Sequence, residues 1–315
     1  MKNKPDNKVA IVIPNYNGLK LLKKNLPFVV EASLRNQIII VDDGSQDGSV
    51  EYIKKAYPQI QLLEKVTNSG YASTINLGVR VAKADVVVLL NTDVKPEKDF
   101  LTTLLIHFSD PSVFAVGCLE LSQEQGRIIE RGRGVGLFKN GFLIHSKGES
   151  NNKITLWASG GAAAFRTSLW RELGGMDELF DPFYWEDIDL SYRALKSGYT
   201  VIFEPHSKVH HLHSEGVIQT QFTPSQIKTI AYRNQFIFHW KNITSRNYIR
   251  GHLLRLPLHL IKSLFQGDSA FIHGFLLALQ KLGNIMSQRR NNLKLFKHSD
   301  ETVLGIFSNT NKGEK

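Results

Sequence analysis

Three short polar clusters, Pro14-Asn15-Tyr16-Asn17, Asp42-Asp43 and Asn91-Thr92-Asp93, each follow directly on an apolar run of the chain. Singly, any of them reads as a turn or a helix cap, because Asn, Asp and Gly supply that chemistry anyway. Repeated after successive apolar runs, they read instead as one polar edge. Within it, Asp93 suits a hard divalent cation such as Mg2+ or Mn2+, which takes one or two carboxylates and keeps other positions for phosphate oxygens and water. Asn91, two residues earlier on an extended segment, projects to the same side and suits a ribose hydroxyl.

A second constellation runs from Trp157 to Tyr199. Its small-residue stretch, Ser159 to Ala164, lets backbone approach a ligand closely. An aromatic wall of Phe180, Phe183, Tyr184 and Trp185 then leads straight into Glu186, Asp187 and Asp189. Aromatic rings such as Trp185 stack on the apolar faces of sugars, and partial desolvation beside them raises a carboxylate's proton affinity towards that of a useful general base. Asp187 is the residue read in that role. Asp189 reads more plainly as a first-turn charge complementing a helix dipole ahead of Leu190 to Lys196. His210, His211 and His213 cluster further on, either as metal or phosphate ligands or as surface histidines.

The elements that must hold these groups follow from periodicity. Val9 to Ile13 reads as a strand buried on both faces and stopped at Pro14, Leu19 to Ala32 as a helix, and Gln37 to Val41 as a second strand. Ser49 to Ala56 is again helical, Ile60 to Glu64 a short strand, Ser73 to Ala82 a helix, and Val86 to Leu90 the strongest strand. This alternation predicts an α/β fold with a parallel sheet and helices on both faces, binding ligands beyond the carboxyl ends of its strands. No G-x-G-x-x-G follows the first strand and no G-x-x-x-x-G-K-[ST] occurs, against a dinucleotide oxidoreductase or a P-loop enzyme. Arg131 to Gly136, glycine-rich with no strand read ahead of it, is expected to be a flexible loop.

With 42% apolar residues the chain can bury a full core. Its single cysteine, Cys118, lies in an apolar stretch and reads as a buried thiol, so neither disulfides nor thiolate metal sites are expected. The start lacks the apolar core of a secretory signal, and no apolar run approaches the roughly 20 residues of a spanning helix, so a cytoplasmic location is expected. Residues 1–215 hold 25 Lys and Arg against 25 Asp and Glu, whereas residues 216–315 hold 14 against 4. Such asymmetry points to an anionic partner for the tail, either a membrane surface or a polyanion. Within the tail, Tyr232-Arg233-Asn234 with Phe236, Phe238 and Trp240 reads as a helix packed on the main domain. Between Ile249 and Phe265, His252, Arg255, His259, Lys262 and Gln266 form one stripe and Leu253, Leu256, Leu260 and Leu264 another, with a kink or break expected at Pro257. Peripheral attachment to the inner face of the cytoplasmic membrane and packing on the protein's own domain both fit that pattern.

The segments VAIVIPNYNG, VDDGSQDGSV, TNSGYASTINLG, LLNTDV and GGMDELFDPFYWEDIDLSYR, with the later Pro205 and His211, resemble the ordered motif set of family 2 glycosyltransferases, most closely the bacterial rhamnosyltransferase-like branch, over residues 8 to about 215. The resemblance implies a GT-A-type, Rossmann-like, mostly parallel sheet in a catalytic domain at 1–215. Its nucleotide-sugar half would span about 1–95 and its acceptor half about 96–215, followed at 216–315 by a basic, mainly helical C-terminal appendage. It implies that Pro14, Tyr16 and Asn17 line the nucleotide pocket, that Asp42 holds the base, and that Asn68 and Gly70 shape the pocket nearby. The family's usual D-x-D is N-T-D here, leaving Asp93 as metal ligand and Asn91 with the ribose contact. Glu186-Asp187 matches the acidic pair whose second member is the catalytic base, with Glu186 seating the acceptor, and His211 falls where relatives place a further metal or phosphate ligand. The implied partners are a nucleoside-diphosphate sugar donor and a glycan or lipid-linked acceptor in cell-surface synthesis, with no nucleic acid. A nucleotidyltransferase and a non-catalytic binding protein on the same fold are the rival classes. The first ordinarily carries a glycine-rich basic loop after its first strand, and PNYNG is neither; intact Asp93 and Asp187 argue against the second.

Overall fold

The computed structural model describes residues 7–124, 126–211 and 216–308. The chain opens with β1 (Val9–Asn15), α1 (Leu19–Ala32), β2 (Gln37–Asp42), α2 (Ser49–Ala56), β3 (Gln61–Glu64), α3 (Tyr71–Val81) and β4 (Val86–Leu90). Strands β1, β2 and β4 are buried on both faces, which is why they are continuous Val, Ile and Leu rather than alternating. Helix α1 turns Leu22, Leu26 and Val29 to the sheet at the spacing of one helical face. There follow β5 (Val94–Pro96), α4 (Phe100–Leu105), β6 (Val113–Glu124), β7 (Arg127–Arg131), β8 (Gly134–Lys139), β9 (Phe142–Lys147), β10 (Ala162–Arg166), α5 (Thr167–Glu172), α6 (Glu186–Lys196) and β11 (Thr200–His211). The last part is helical: α7 (Val217–Gln221), α8 (Pro224–Asn242), α9 (Arg246–Phe265), α10 (Ser269–Gln280), α11 (Leu282–Leu293) and α12 (Asp300–Ser308).

The main sheet runs β3-β2-β1-β4-β10-β6-β11-β5, with β7 added on β6. Its first four strands are parallel, β10 inserts antiparallel between β4 and β6, and β11 runs parallel to β6. This connectivity sets the functional edge. Asn15 pairs with Asp42 at the carboxyl ends of β1 and β2, and Ala162 at the start of antiparallel β10 pairs with Leu90 at the end of β4. His211, closing β11, pairs with Val94, immediately after Asp93. The ends of β1, β2, β4 and β11 and the start of β10 therefore meet at one rim.

Two expectations need correcting. Arg131 to Gly136 is not a flexible loop: it joins β7 to β8, and Gly132, at φ +118°, lies where a side chain would run into the carbonyl of Cys118. Pro257 does not divide the tail helix, for α9 is continuous through it. Cys118 is buried as read, its thiol pushed up to about 12 by burial. Among the described residues no helix is long and apolar enough to cross a membrane.

The boundary near 215 marks a change in charge but no break in the core. One cluster of buried side chains joins Val41, Leu89, Phe165 and Tyr192 to Phe236, Phe238, Phe271 and Val303. Helix α8 starts on a capping box, Thr223 and Gln226 each satisfying the other's backbone, with Pro224 in the first turn. Its His239 is 3% exposed, has no hydrogen-bond partner for either ring nitrogen, and stacks 4.0 Å from His252 beside Phe138 and Phe142. Burial, then the neighbouring His252 and Arg289, hold its pKa well below the usual histidine value. The unfolded chain therefore takes up this proton first, and stability falls as pH drops through about 6.5, by up to about 1.4 kcal/mol per pH unit for one such group. Denaturant unfolding at stepped pH is expected to show a shallower slope for His239→Phe than for the wild type; identical slopes would remove His239 as the cause.

Candidate active site

The rim surrounds a cavity of about 350 Å³ whose lining includes Pro14, Tyr16, Asn68, Gly70, Asn91, Asp93, Glu186, Asp187 and His211, a size suited to a small-molecule ligand. These nine residues, singled out from the sequence, are thus brought together. Asp42, Asn17 and Trp185 are not on the lining. Asp42 points the other way from its neighbour: it accepts from the Asn15 side-chain amide at 2.7 Å and the Ser45 N–H at 2.9 Å, fastening β1 to the loop after β2. Asp43 faces the cavity instead, accepting from the N–H groups of Ser69 at 3.0 Å and Gly70 at 3.1 Å, with the Lys65 ammonium at 2.8 Å. Asn17 is spent on the same loop, its backbone N–H donating to Ser45 Oγ and its side-chain Oδ1 accepting from Gln46 N–H, each at 2.8 Å. Trp185 is buried edge-on against His145 and tilted against Phe238.

Gly70 opens α3 at φ +105°, and a Cβ there would collide with the Asp181 carboxylate. That carboxylate accepts from Ala72 N–H at 2.8 Å and from Ser73 N–H at 3.3 Å, so a side chain within the aromatic run caps the helix that opens at the cavity. Burial pushes Asp181 up to about 6 against these hydrogen bonds.

The acidic turn is unusual in its backbone. Tyr184 and Trp185 both take left-handed conformations, at φ 72° and 77°, immediately before α6. Non-glycine residues persist there only when their surroundings hold them. The hold comes from α8: the Asn234 amide donates to the carbonyls of Phe180, Phe183 and Tyr184 at 2.8 to 2.9 Å, and Arg233 donates to those of Phe180 and Asp181. Deeper in, Lys241 bridges Asp177 at 2.6 Å and Asp189 at 2.7 Å, so Asp189 lies in the first turn of α6 as read but is a buried ion-pair anchor rather than a plain dipole charge. The turn delivers Glu186 and Asp187 to the cavity at the start of α6.

Asp187 accepts from Gly160 N–H at 3.1 Å and Ile188 N–H at 2.7 Å, and burial raises its pKa to about 6 in spite of them. Glu186 is raised well above the carboxylate range by burial and then by Asp187, and its Oε2 has no partner. Tyr71 donates to Gly160 O at 2.6 Å, steadying the loop that supplies the N–H to Asp187. Across the rim, His211 sits between two carboxylates, its Nε2 3.3 Å from Asp93 and its Nδ1 2.6 Å from Glu120. Burial would lower its pKa, but the hydrogen bonds to Asp93 and Glu120 outweigh that and raise it to about 10. His210 turns outward to Glu97 at 3.3 Å, and His213 lies outside the described residues. No cluster of three or more His, Cys, Asp or Glu side chains fit for a metal occurs among the described residues. The Asp93–His211 pair, with the buried and unpartnered Asn91 carbonyl beside it on the lining, nonetheless fits a cation that draws most of its ligands from phosphate and water and displaces the proton that Asp93 and Glu120 hold on His211.

Sequence reasoning missed Asp43, Tyr71, Glu120 and the Arg233-Asn234 support. Strand alternation could have separated Asp42 from Asp43, and a polar pair inside an aromatic helix was a signal for Arg233 and Asn234. Nothing in the sequence marks Glu120 within β6.

A model of the family described as glycosyl transferase family 2 matches residues 10–174. The pre-mycofactocin glycosyltransferase of Mycobacterium tuberculosis is 29% identical over 215 residues, covering 65% of this chain and 43% of that protein. The O-antigen chain rhamnosyltransferase RfbN of Salmonella typhimurium is 26% identical over 214 residues, covering 66% of this chain and 67% of its own. The chain therefore spans less than half the length of the first of these relatives. Among solved structures, GalNAc-T7 with UDP, GalNAc and Mn2+ superposes with a TM-score of 0.62 at 18% identity, over 76% of this chain and 48% of that one, a likeness of fold.

Proposed function

The chain belongs to glycosyltransferase family 2, and from that premise we propose that it moves a sugar from a nucleoside-diphosphate sugar to a hydroxyl acceptor with inversion at the anomeric carbon. The observation that carries this reading is a single cavity lined by both the Glu186–Asp187 pair and the Asp93–His211 pair. Asp187 takes the proton of the acceptor hydroxyl as its oxygen attacks; a carboxylate raised to about 6 is still ionised at neutral pH yet basic enough to help. One base on the face opposite the leaving group gives inversion. Burial and then Asp187 shift Glu186 toward its protonated form, in which its carboxyl offers an O–H donor to the acceptor. Pro14, Tyr16, Asn68 and Gly70 receive the nucleotide, with Asp43 in the base-holding role first read for Asp42, and Asn91 takes a ribose hydroxyl. Asp93 and His211 would hold Mg2+ or Mn2+, which when bound supplies positive charge to the departing diphosphate. The UDP and Mn2+ of the solved neighbour are in keeping with this, and the O-antigen relative favours an acceptor in bacterial cell-surface polysaccharide or lipid-linked glycan synthesis. Such an acceptor places the work at the inner face of the cytoplasmic membrane.

Titration calorimetry with UDP, GDP and dTDP tests the metal assignment. Wild-type protein is expected to bind one of them more tightly with Mn2+ than without, and Asp93→Ala to lose that difference. An undiminished manganese response in the variant would remove Asp93 from the site.

A further inference from the structure

Helix α9 is apolar on two sides, and the stripe read at Leu253, Leu256, Leu260 and Leu264 is split: Leu256 and Leu260 pack with Ile249 against the core, while Leu253 and Leu264 face out. Its inner side carries His252, whose Nδ1 meets Gly141 O at 2.9 Å and whose Nε2 accepts from Trp240 at 3.0 Å, and His259, whose Nε2 meets Asn140 O at 2.8 Å. Its outer side carries a second apolar stripe: Leu254, Leu258, Ile261 and Phe265, one helical face apart, are 75%, 65%, 51% and 89% exposed. Leu253 and Leu264 widen that stripe and are exposed as well. A contiguous apolar surface left outward by a well-packed helix marks a place of contact. Arg250, Arg255 and Lys262 lie exposed on the same helix, and between residues 246 and 299 nine Lys and Arg face a single carboxylate side chain, Asp268, already paired with Lys228.

We infer that the outward face of α9 docks on a bilayer surface bearing anionic headgroups, its leucines and Phe265 entering the headgroup–acyl boundary and its Arg and Lys side chains meeting phosphate. The charge decides between occupants. A second copy of the chain seated on this face would bring like-charged Arg and Lys together with no carboxylate on α9 to offset them, whereas an anionic surface complements them. This gives the proposed membrane-borne acceptor a physical meeting place, and because vesicle binding is read without any transfer, its failure would leave the transferase reading standing.

The test is co-sedimentation of the full chain with vesicles of phosphatidylcholine alone and of phosphatidylcholine mixed with phosphatidylglycerol. Wild-type protein is expected to bind the mixed vesicles in preference, with the preference lost at high salt. The triple variant Leu254→Ser/Leu258→Ser/Phe265→Ser, altered only at exposed positions, is expected to bind them at least about tenfold more weakly with its melting temperature unchanged. Arg255→Glu with Lys262→Glu is expected to lose a similar factor. Equal binding by the wild type and both variants would overturn the inference. So would an absence of vesicle binding together with a dimer, seen by sedimentation equilibrium, that the triple variant abolishes.

Discussion

Replacing Asp187 by Asn is expected to lower turnover by about 10²- to 10⁴-fold, the usual worth of a positioned general base, while leaving nucleotide affinity nearly unchanged. The amide keeps the size of the carboxylate but has one acceptor oxygen where Asp187 uses two, Oδ2 for Gly160 and Oδ1 for Ile188, so one of these N–H groups loses its acceptor while the other still holds the turn ahead of α6. The amide cannot take a proton. The wild-type pH profile carries the same information. Protonation of Asp187 on the acid side removes the base, so the rate falls below about pH 6, the value to which burial raises this group. Because Glu186 lies against it, that limb belongs to the pair. The residual activity of the Asn variant is expected to lack the limb. A variant that binds the nucleotide poorly, or keeps wild-type turnover, would remove Asp187 from the reaction.

The second large effect is on stability and comes from the tail. Lys241→Met is expected to cost about 3 to 5 kcal/mol, the range for breaking a buried ion pair by removing one partner, measured by denaturant unfolding. Lys241 is 1% exposed and joins two carboxylates from different segments, Asp177 before the acidic turn and Asp189 after it. Burial alone would raise the Asp177 pKa, and Lys241 outweighs it, holding the group below its ordinary value. Asp189 keeps Arg193 at 2.8 Å when Lys241 is gone, which places the expected loss toward the lower end of that range. By contrast Lys54→Met, which breaks the exposed pair with Glu64, is expected to cost less than about 1 kcal/mol. Equal costs at the two positions would mean that the tail is not what braces the turn.

The parallel half of the sheet was legible because strands buried on both faces must be apolar, and β1 and β4 begin where their apolar runs begin, β2 one residue before its own. The functional rim was legible for a related reason: strands end where polar clusters start, and a shared carboxyl edge gathers them. What failed was resolution within a cluster. Asp42 and Asp43 differ only in which side of the sheet they face, and the reading chose the one spent on Asn15. Trp185, in a run of aromatics before two carboxylates, looks like a ligand platform until its left-handed backbone sends it into the core. The brace from Asn234 lies 50 residues from the carbonyls of Tyr184, and no local pattern links them. Helix α9 shows the limit of periodicity most plainly, since two stripes can be counted from sequence but the face that packs is decided by the β8–β9 hairpin it meets.

The central claim is that one cavity places a metal-bound diphosphate at Asp93 and His211 with Asp187 free to act as base. Crystals grown with a nucleoside diphosphate and Mn2+, measured at a wavelength where manganese scatters anomalously, test it most directly. The expected map shows one manganese peak contacting Asp93 and His211, with no manganese on Asp187. A peak held by Glu186 and Asp187, or a nucleotide bound away from β1 and β4, would contradict the account.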